Sequence, residues 1–337
     1  MKKYFFTALC TSVLAAGTVQ CMAMQTFPDG ARVAFFGDSI TANGGAMLRV
    51  AAHYREAFPG RSLRFYNCGI SGGGLESAEM YFDDIFAARK PTHVVLAFGV
   101  NDSGAMRLDE SAADASKEAR RVDEAAAAFR KRYAALVGRI RSLGAEVILR
   151  TTTPYNEFGD SAVAPVKKGR NAAYRRVTDE IRAVARDMGL PLIDDYARMS
   201  ELLSGGEVLF AADRVHPNDY GQWRMADTLL AAQGLKIAPY SPRAELAAKT
   251  GLSAWDDLWQ RIADVNSCEW ICVRDETLSL GAKLAKVKAW LEENGAKPDA
   301  NKYVVRIANG YLRDKPRKTA LIAEAESAWT PATTSTE

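Results

Sequence analysis

Four short stretches of this 337-residue chain carry the side chains best placed to do chemistry. The first is Gly37-Asp38-Ser39-Ile40-Thr41, directly after the apolar run RVAFFG. A serine at the carboxyl end of a strand, just before a helix, can present its hydroxyl to a cleft, and its own N–H can donate to an oxyanion. Alone, the turn fits a plain helix cap equally well. The second stretch is Asn67-Cys68-Gly69-Ile70-Ser71-Gly72-Gly73-Gly74. Its three successive glycines let the backbone approach a ligand and aim N–H groups at an anion, although a flexible connection would look the same. The third, Gly99-Val100-Asn101-Asp102, supplies a side-chain amide that can hydrogen-bond a developing oxyanion without titrating. The fourth, Asp213-Arg214-Val215-His216-Pro217-Asn218, lies far downstream. A carboxylate three residues before a histidine can take the Nδ1–H of the imidazole and leave Nε2 free as a base toward a serine. The chain has three histidines, so few residues compete for that role. His53 falls within an amphipathic helical pattern and His93 at the start of a strand, and both read as structural.

These stretches need a scaffold that brings them to one edge, and the pattern between them provides it. Five runs read as strands: RVAFFG (32–37), LRFYNC (63–68), THVVLAFG (92–99), AEVILR (145–150) and the short PLID (191–194). They alternate with helical patterns near 45–58, 75–88, 114–143 and 165–188, and a helix over about 219–232 closes the unit. Near-continuous apolar strands alternating with helices predict a parallel sheet covered on both faces. In such sheets ligands bind beyond the carboxyl ends of the strands, where the first three stretches fall.

Taken together and in this order, the four stretches resemble the signature blocks of the SGNH branch of the GDSL hydrolase superfamily, over roughly residues 32–235. The resemblance implies an α/β fold, a flavodoxin-like three-layer α/β/α sandwich with a parallel sheet. It also implies Ser39 as nucleophile, His216 as base and Asp213 as the partner of that base. The oxyanion would be held by the N–H groups of Ser39 and Gly72 and by the amide of Asn101, with no metal or organic cofactor. Ile40 stands where the family usually has leucine, a conservative apolar change. Gly72 is selected from its neighbours Gly73 and Gly74 only by the family's Ser-Gly pattern. A competing motif, Gly69-Ile70-Ser71-Gly72-Gly73, satisfies G-x-S-x-G and would make Ser71 the nucleophile of an α/β-hydrolase. It follows only the second strand, however, and leaves Ser39 and Asn101 without a task. Exported members of the family often remove acetyl groups from sugars, so the resemblance implies a carbohydrate O-acetylesterase first. A lipolytic esterase, lysophospholipase or thioesterase comes next, and a noncatalytic carbohydrate-binding protein on the same scaffold is the alternative of another class.

Composition sets the remaining bounds. At 48% hydrophobic and 25% charged the chain suits a soluble enzyme, and a formal charge of +3 without a basic, aromatic-interleaved cluster gives no sign of nucleic-acid binding. Lys2 and Lys3, an apolar stretch from Tyr4 to about Gly17 and small residues ending in Ala23 predict a secretory signal over 1–23. That stretch falls short of the roughly 20 residues a membrane span needs, and Gln20 before Cys21 argues against a lipoprotein. The expected product is periplasmic or extracellular, meeting a small-molecule or glycan ester, with no stable membrane insertion after signal removal. Cys68, Cys268 and Cys272 remain beyond the signal; Cys268 and Cys272 could pair across a loop, but on a continuous helix that spacing hardly reaches disulfide geometry, and filling of the core is the expected role for all three. After the hydrolase unit at 24–240, residues 241–329 show helical periodicity with several tryptophans. They are expected to pack on the first unit or join copies of the chain into an oligomer, contributing neither a triad member nor an oxyanion donor. The tail 330–337 is polar and expected to be disordered.

Overall fold

The computed structural model describes residues 24–158, 164–273, 311 and 313–329. The expectations for 1–23 and for the tail after Trp329 lie outside them. Five parallel strands form one sheet in the order β2-β1-β3-β4-β5. They are β1 (Arg32–Gly37), β2 (Arg64–Gly69), β3 (His93–Ala97), β4 (Glu146–Arg150) and β5 (Leu192–Ile193). β1 sits between β2 and β3, with Phe36 opposite Cys68 on one side and Leu96 on the other. The stretch that holds Ser39 therefore leaves the sheet from its middle, flanked by the second and third stretches.

Among the described residues up to Val273, nine α-helices flank or extend the sheet: α1 (Ser39–Ala42), α2 (Gly45–Ala57), α3 (Leu75–Met80), α4 (Ala115–Ser142), α5 (Arg170–Met188), α6 (Asp195–Ser204), α7 (Asp219–Ala232), α8 (Arg243–Lys249) and α9 (Ser253–Val273). The next described helix is α10 (Lys318–Ala328). α2 packs on α7, while α4 packs on α3 and α5, which gives the helical layers on the two faces of the sheet. Buried Arg150 at the end of β4 pairs with Asp195 at 2.6 Å and donates to the Met225 carbonyl, tying α6 and α7 to the sheet.

Several local expectations shift. The helix expected over 75–88 stops at Met80 and continues as a π-helical turn, Phe82–Phe86. The wider turn brings Phe86 flat onto Phe36, with ring centroids 4.8 Å apart. α5 starts at Arg170 rather than near 165, because Gly169 at φ 72° forms a left-handed cap before it. β3 ends at Ala97, two residues early, and Gly99 at φ 139° turns the chain toward Asn101. α6 was not anticipated, although Asp194 caps it by accepting from the Ala197 N–H, and Tyr196, Met199, Leu202 and Leu203 mark its buried face.

The C-terminal helices share the core of the sheet domain. α9 lies against β2, where the Trp259 ring meets Tyr66 edge-on at 5.7 Å. Trp329, just after α10, contacts both Trp255 at 5.3 Å and Phe65 at 5.4 Å. Trp255 and Trp259, four residues apart on one helical face, are both buried, as packing requires. Buried Asp314 pairs with Arg261 at 2.6 Å, and Lys318 reaches Asp84 of the sheet domain at 2.8 Å. Cys68 is a buried residue of β2, where burial pushes its thiol up to about 12. Cys268 is buried on α9, and the side chain of Cys272 lies outside the described residues.

Candidate active site

Ser39 is the first residue of α1, reached from β1 by a turn that only glycine can enter. A Cβ on Gly37 would sit 2.4 Å from the Ala97 carbonyl oxygen and 2.3 Å from the Thr41 hydroxyl. Asp38 is buried and caps α1 by accepting from the Ile40 N–H at 2.9 Å. Burial pushes its carboxyl up to about 7, against the Ile40 hydrogen bond and the nearby His216, which both lower it. Gln222 of α7 locks the same segment in place, accepting from the Ala46 N–H at 3.0 Å and donating to the Ile40 carbonyl at 3.2 Å.

Asp213 and His216 arrive on the loop before α7. Asp213 Oδ1 accepts from the backbone N–H groups of Val215 and His216, each at 3.0 Å, and its Oδ2 meets His216 Nδ1 at 2.5 Å. Arg214 between them takes a left-handed conformation, φ 65°, and donates its guanidinium to the carbonyls of Asn156, Phe158 and Ala164. The strained residue is thus held by side-chain contacts across the loop. His216 Nε2 lies 2.8 Å from Ser39 Oγ. A hydrogen-bonded chain runs from carboxylate to imidazole to hydroxyl.

Burial alone would lower the His216 pKa, but the hydrogen bond and charge of Asp213, with Asp38 adding to them, raise it above 6.5. Burial raises Asp213, yet hydrogen bonds from the His216 ring and from the backbone of His216 and Val215 outweigh it and hold the carboxyl well below the usual range. Asp38 and Asp213, two carboxyls close to one histidine, are therefore driven in opposite directions by their surroundings.

The second and third stretches meet beside Ser39. Ile70 to Gly73 form a turn closed by the Gly73 N–H to the Ile70 carbonyl at 3.0 Å, with Gly72 at φ 74° in the position that demands a positive angle. Asn101 donates its amide to the Gly73 carbonyl at 2.7 Å, so one of its two N–H bonds holds this loop and the other is left for a ligand. Asp102 is half-buried and accepts from the Leu75 N–H at 3.0 Å, anchoring the start of α3. Ser71 lines the cavity, but the hydroxyl hydrogen-bonded to His216 Nε2 is that of Ser39. His53 and His93 lie elsewhere, on α2 and at the opening of β3, the edge of the sheet away from the site. Among the described residues no group of three or more His, Cys, Asp or Glu is placed to hold a metal ion.

The cavity over Ser39 has a volume of about 500 Å³ and is lined by Ser39, Asn43, Ser71, His216 and Asp264, among others. Asp264 belongs to α9. Two further α9 side chains grip the glycine loop: Ser267 Oγ accepts from the Ser71 N–H at 2.9 Å, and Trp270 Nε1 donates to the Gly72 carbonyl at 2.9 Å. The C-terminal region was expected to supply no triad member or oxyanion donor. Its described residues add no member to the Ser39–His216–Asp213 chain, and through Asp264 they form part of the cavity wall. The polar residues Asp264, Asn266, Ser267 and Glu269 on a buried helix were the available signal, since buried polar groups need partners.

Residues 35–224 match the GDSL-like lipase/acylhydrolase family. The chain belongs to that family. It is accordingly a hydrolase of ester bonds. No curated protein matches it by sequence. Among solved structures, a gut microbial diltiazem-metabolizing enzyme superposes with a TM-score of 0.67 at 17% identity, covering 93% of this chain and 98% of its own. Axe2, an acetylxylan esterase from Geobacillus stearothermophilus, gives a TM-score of 0.51 at 20% identity over 64% of this chain and 100% of its own. An alpha/beta hydrolase from the metagenome of Lake Arreo, Spain, gives 0.50 at 24% identity over 63% and 99%. These likenesses concern the fold, and the first extends over the C-terminal helices as well.

Proposed function

We propose that this GDSL-family hydrolase is an exported serine esterase that removes acetyl groups from carbohydrates. The supporting observation is the unbroken hydrogen-bonded chain Asp213–His216–Ser39 at the floor of an accessible cavity. Ser39 Oγ attacks the ester carbonyl while His216 Nε2 takes its proton, and the carbonyl oxygen gathers charge between the N–H groups of Ser39 and Gly72 and the free N–H of the Asn101 amide. Collapse of the tetrahedral intermediate breaks the bond to the alkoxy oxygen, which leaves with the proton from His216. Water, deprotonated by the same imidazole, then releases acetate from Ser39. Asn43 and Ser71, set among the apolar Ile40, Ala42 and Pro217, offer the hydroxyls of a sugar hydrogen-bond partners beside Ser39. The acetylxylan specificity named for a fold neighbour and the secretory pattern at the N-terminus agree with this choice.

The test is a substrate panel. Acetylated xylo-oligosaccharides and p-nitrophenyl acetate should be cleaved far faster than p-nitrophenyl palmitate or an acyl thioester. Equal or greater rates on the long-chain ester would reverse the assignment. Ser71→Ala should keep most of the activity, with loss below about tenfold, because it forfeits at most a hydrogen bond worth about 1 kcal/mol to the substrate. A dead Ser71→Ala protein that remains folded would transfer the nucleophile to the competing motif.

The pH dependence has a defined sign. Only neutral His216 can accept the serine proton, so kcat/KM should fall as pH drops through a pKa that lies above 6.5 in the folded protein. A profile flat through that region, measured on p-nitrophenyl acetate with the fold monitored by circular dichroism, would remove His216 from the role of base.

A further inference from the structure

We propose that Ser267 and Trp270 of α9 are positioning residues for the oxyanion loop, so that the C-terminal helices complete the active site from outside the four signature stretches. The inference rests on the serine-esterase reading above. Gly72 supplies an oxyanion donor only if its N–H is held at a fixed distance from the carbon attacked by Ser39. The peptides on either side of that N–H are the ones α9 grips. The Ser71 N–H belongs to the preceding peptide and is bonded to Ser267 Oγ at 2.9 Å. The Gly72 carbonyl belongs to the following peptide and accepts from Trp270 Nε1 at 2.9 Å.

The orientation of Ser267 is fixed. Its single hydroxyl proton goes to the Ala263 carbonyl at 2.6 Å, which leaves a lone pair for the Ser71 N–H, and the side chain is fully buried. On the far side of the turn, Asn101 holds the Gly73 carbonyl at 2.7 Å. The loop is clamped between the sheet edge and α9. Glycine at φ 74° gives the turn the conformation it needs, but three glycines in succession give it no stiffness of their own. Preorganised donors matter most in the transition state, and a misplacement of about 1 Å can cost on the order of 10²-fold in rate. Loosening the clamp should therefore lower kcat and leave ground-state binding nearly unchanged.

α9 is itself anchored to the sheet domain at a distance from the loop. Trp259 packs on Tyr66 of β2, and Gln260 donates to the Ala42 carbonyl at the end of α1 at 2.9 Å. The helix thus connects the end of the nucleophile helix with the glycine turn, and the two oxyanion N–H groups are spaced against one rigid element.

The experiment compares Trp270→Phe and Ser267→Ala with Trp255→Phe, which perturbs the same helix through its contact with Trp329, away from the loop. Each is made in the full chain. For Trp270→Phe and Ser267→Ala, kcat on p-nitrophenyl acetate should fall about 5- to 50-fold, less than the 10²- to 10³-fold of losing a donor outright, with KM within about twofold. Inhibition by phenylboronic acid, which forms a tetrahedral adduct on Ser39, should weaken by a similar factor. Inhibition by acetate should not change, and neither should the acid limb of the pH profile. Trp255→Phe should lower the thermal midpoint while keeping kcat. If folded Trp270→Phe and Ser267→Ala proteins retain kcat within twofold, or lose activity through KM alone, the positioning role is overturned and the esterase reading stands. Should Trp270→Phe fail to fold, Ser267→Ala decides the matter. Full activity in a Ser39→Ala control would overturn the underlying reading instead.

Discussion

Ser39→Ala should lower kcat/KM for p-nitrophenyl acetate by about 10⁴-fold or more and abolish labelling by a fluorophosphonate probe, with the thermal midpoint nearly unchanged. The size follows from the covalent step. Without Oγ no acyl-enzyme forms, and what remains is the oxyanion donors and the general base acting on water. The fold should tolerate the change because Ser39 Oγ makes its hydrogen bond to half-exposed His216, whereas the cap that starts α1 belongs to Asp38 and the tight approach to Gly37. Residual activity above about a tenth of the parent would mean that another nucleophile serves, and probe labelling of the variant followed by peptide mapping would locate it.

The sequence was informative where chemistry and strand ends coincide. Ser39, Asn101, Asp213 and His216 each stand in a short stretch that is ambiguous alone and is marked by the ordered set of four; the order β2-β1-β3 brings the first three stretches together, and the loop before α7 adds the fourth. The local twist of the chain was less visible. Leu75 to Phe86 carries one apolar pattern, yet Phe82 and Phe86 must both reach Phe36, and that is met by a π-helical turn no periodicity count distinguishes from a helix. The polar residues of α9 signalled that it needs partners, but not which ones. Ser267 and Ser71 lie 196 residues apart, and their contact depends on how α9 settles on β2. Sequence spacing carries nothing about such a docking. Asp38 is similar, since its elevated pKa comes from burial beneath the turn rather than from its neighbours in sequence.

Asp213→Asn should reduce kcat/KM by about 10⁴-fold while leaving the loop folded, an effect larger than removal of any one oxyanion donor. The carboxylate does two separable things. Its Oδ1 accepts the backbone N–H groups of Val215 and His216, and its Oδ2 accepts the ring N–H of His216. Asparagine can keep Oδ1 in place for the backbone, so the turn with its left-handed Arg214 should survive, which alanine would not guarantee. The amide nitrogen then falls where Oδ2 was, and being a donor it can pair only with an unprotonated Nδ1. The neutral ring must carry its proton on Nε2, facing Ser39 Oγ, and the base is lost although every atom is nearly where it stood. A second consequence is separable from rate. Asp213 supplies the hydrogen bond and the principal charge that raise the His216 pKa, so their removal leaves burial as the stronger influence and moves the pKa downward. The His216 titration, followed by NMR on the imidazole carbon-bound protons, should therefore shift to lower pH in the variant, and the acid limb of any residual activity should follow it. A folded Asp213→Asn protein that keeps more than about a tenth of the parent activity, or whose His216 titrates unchanged, would show that Asp213 does not set the state of the base.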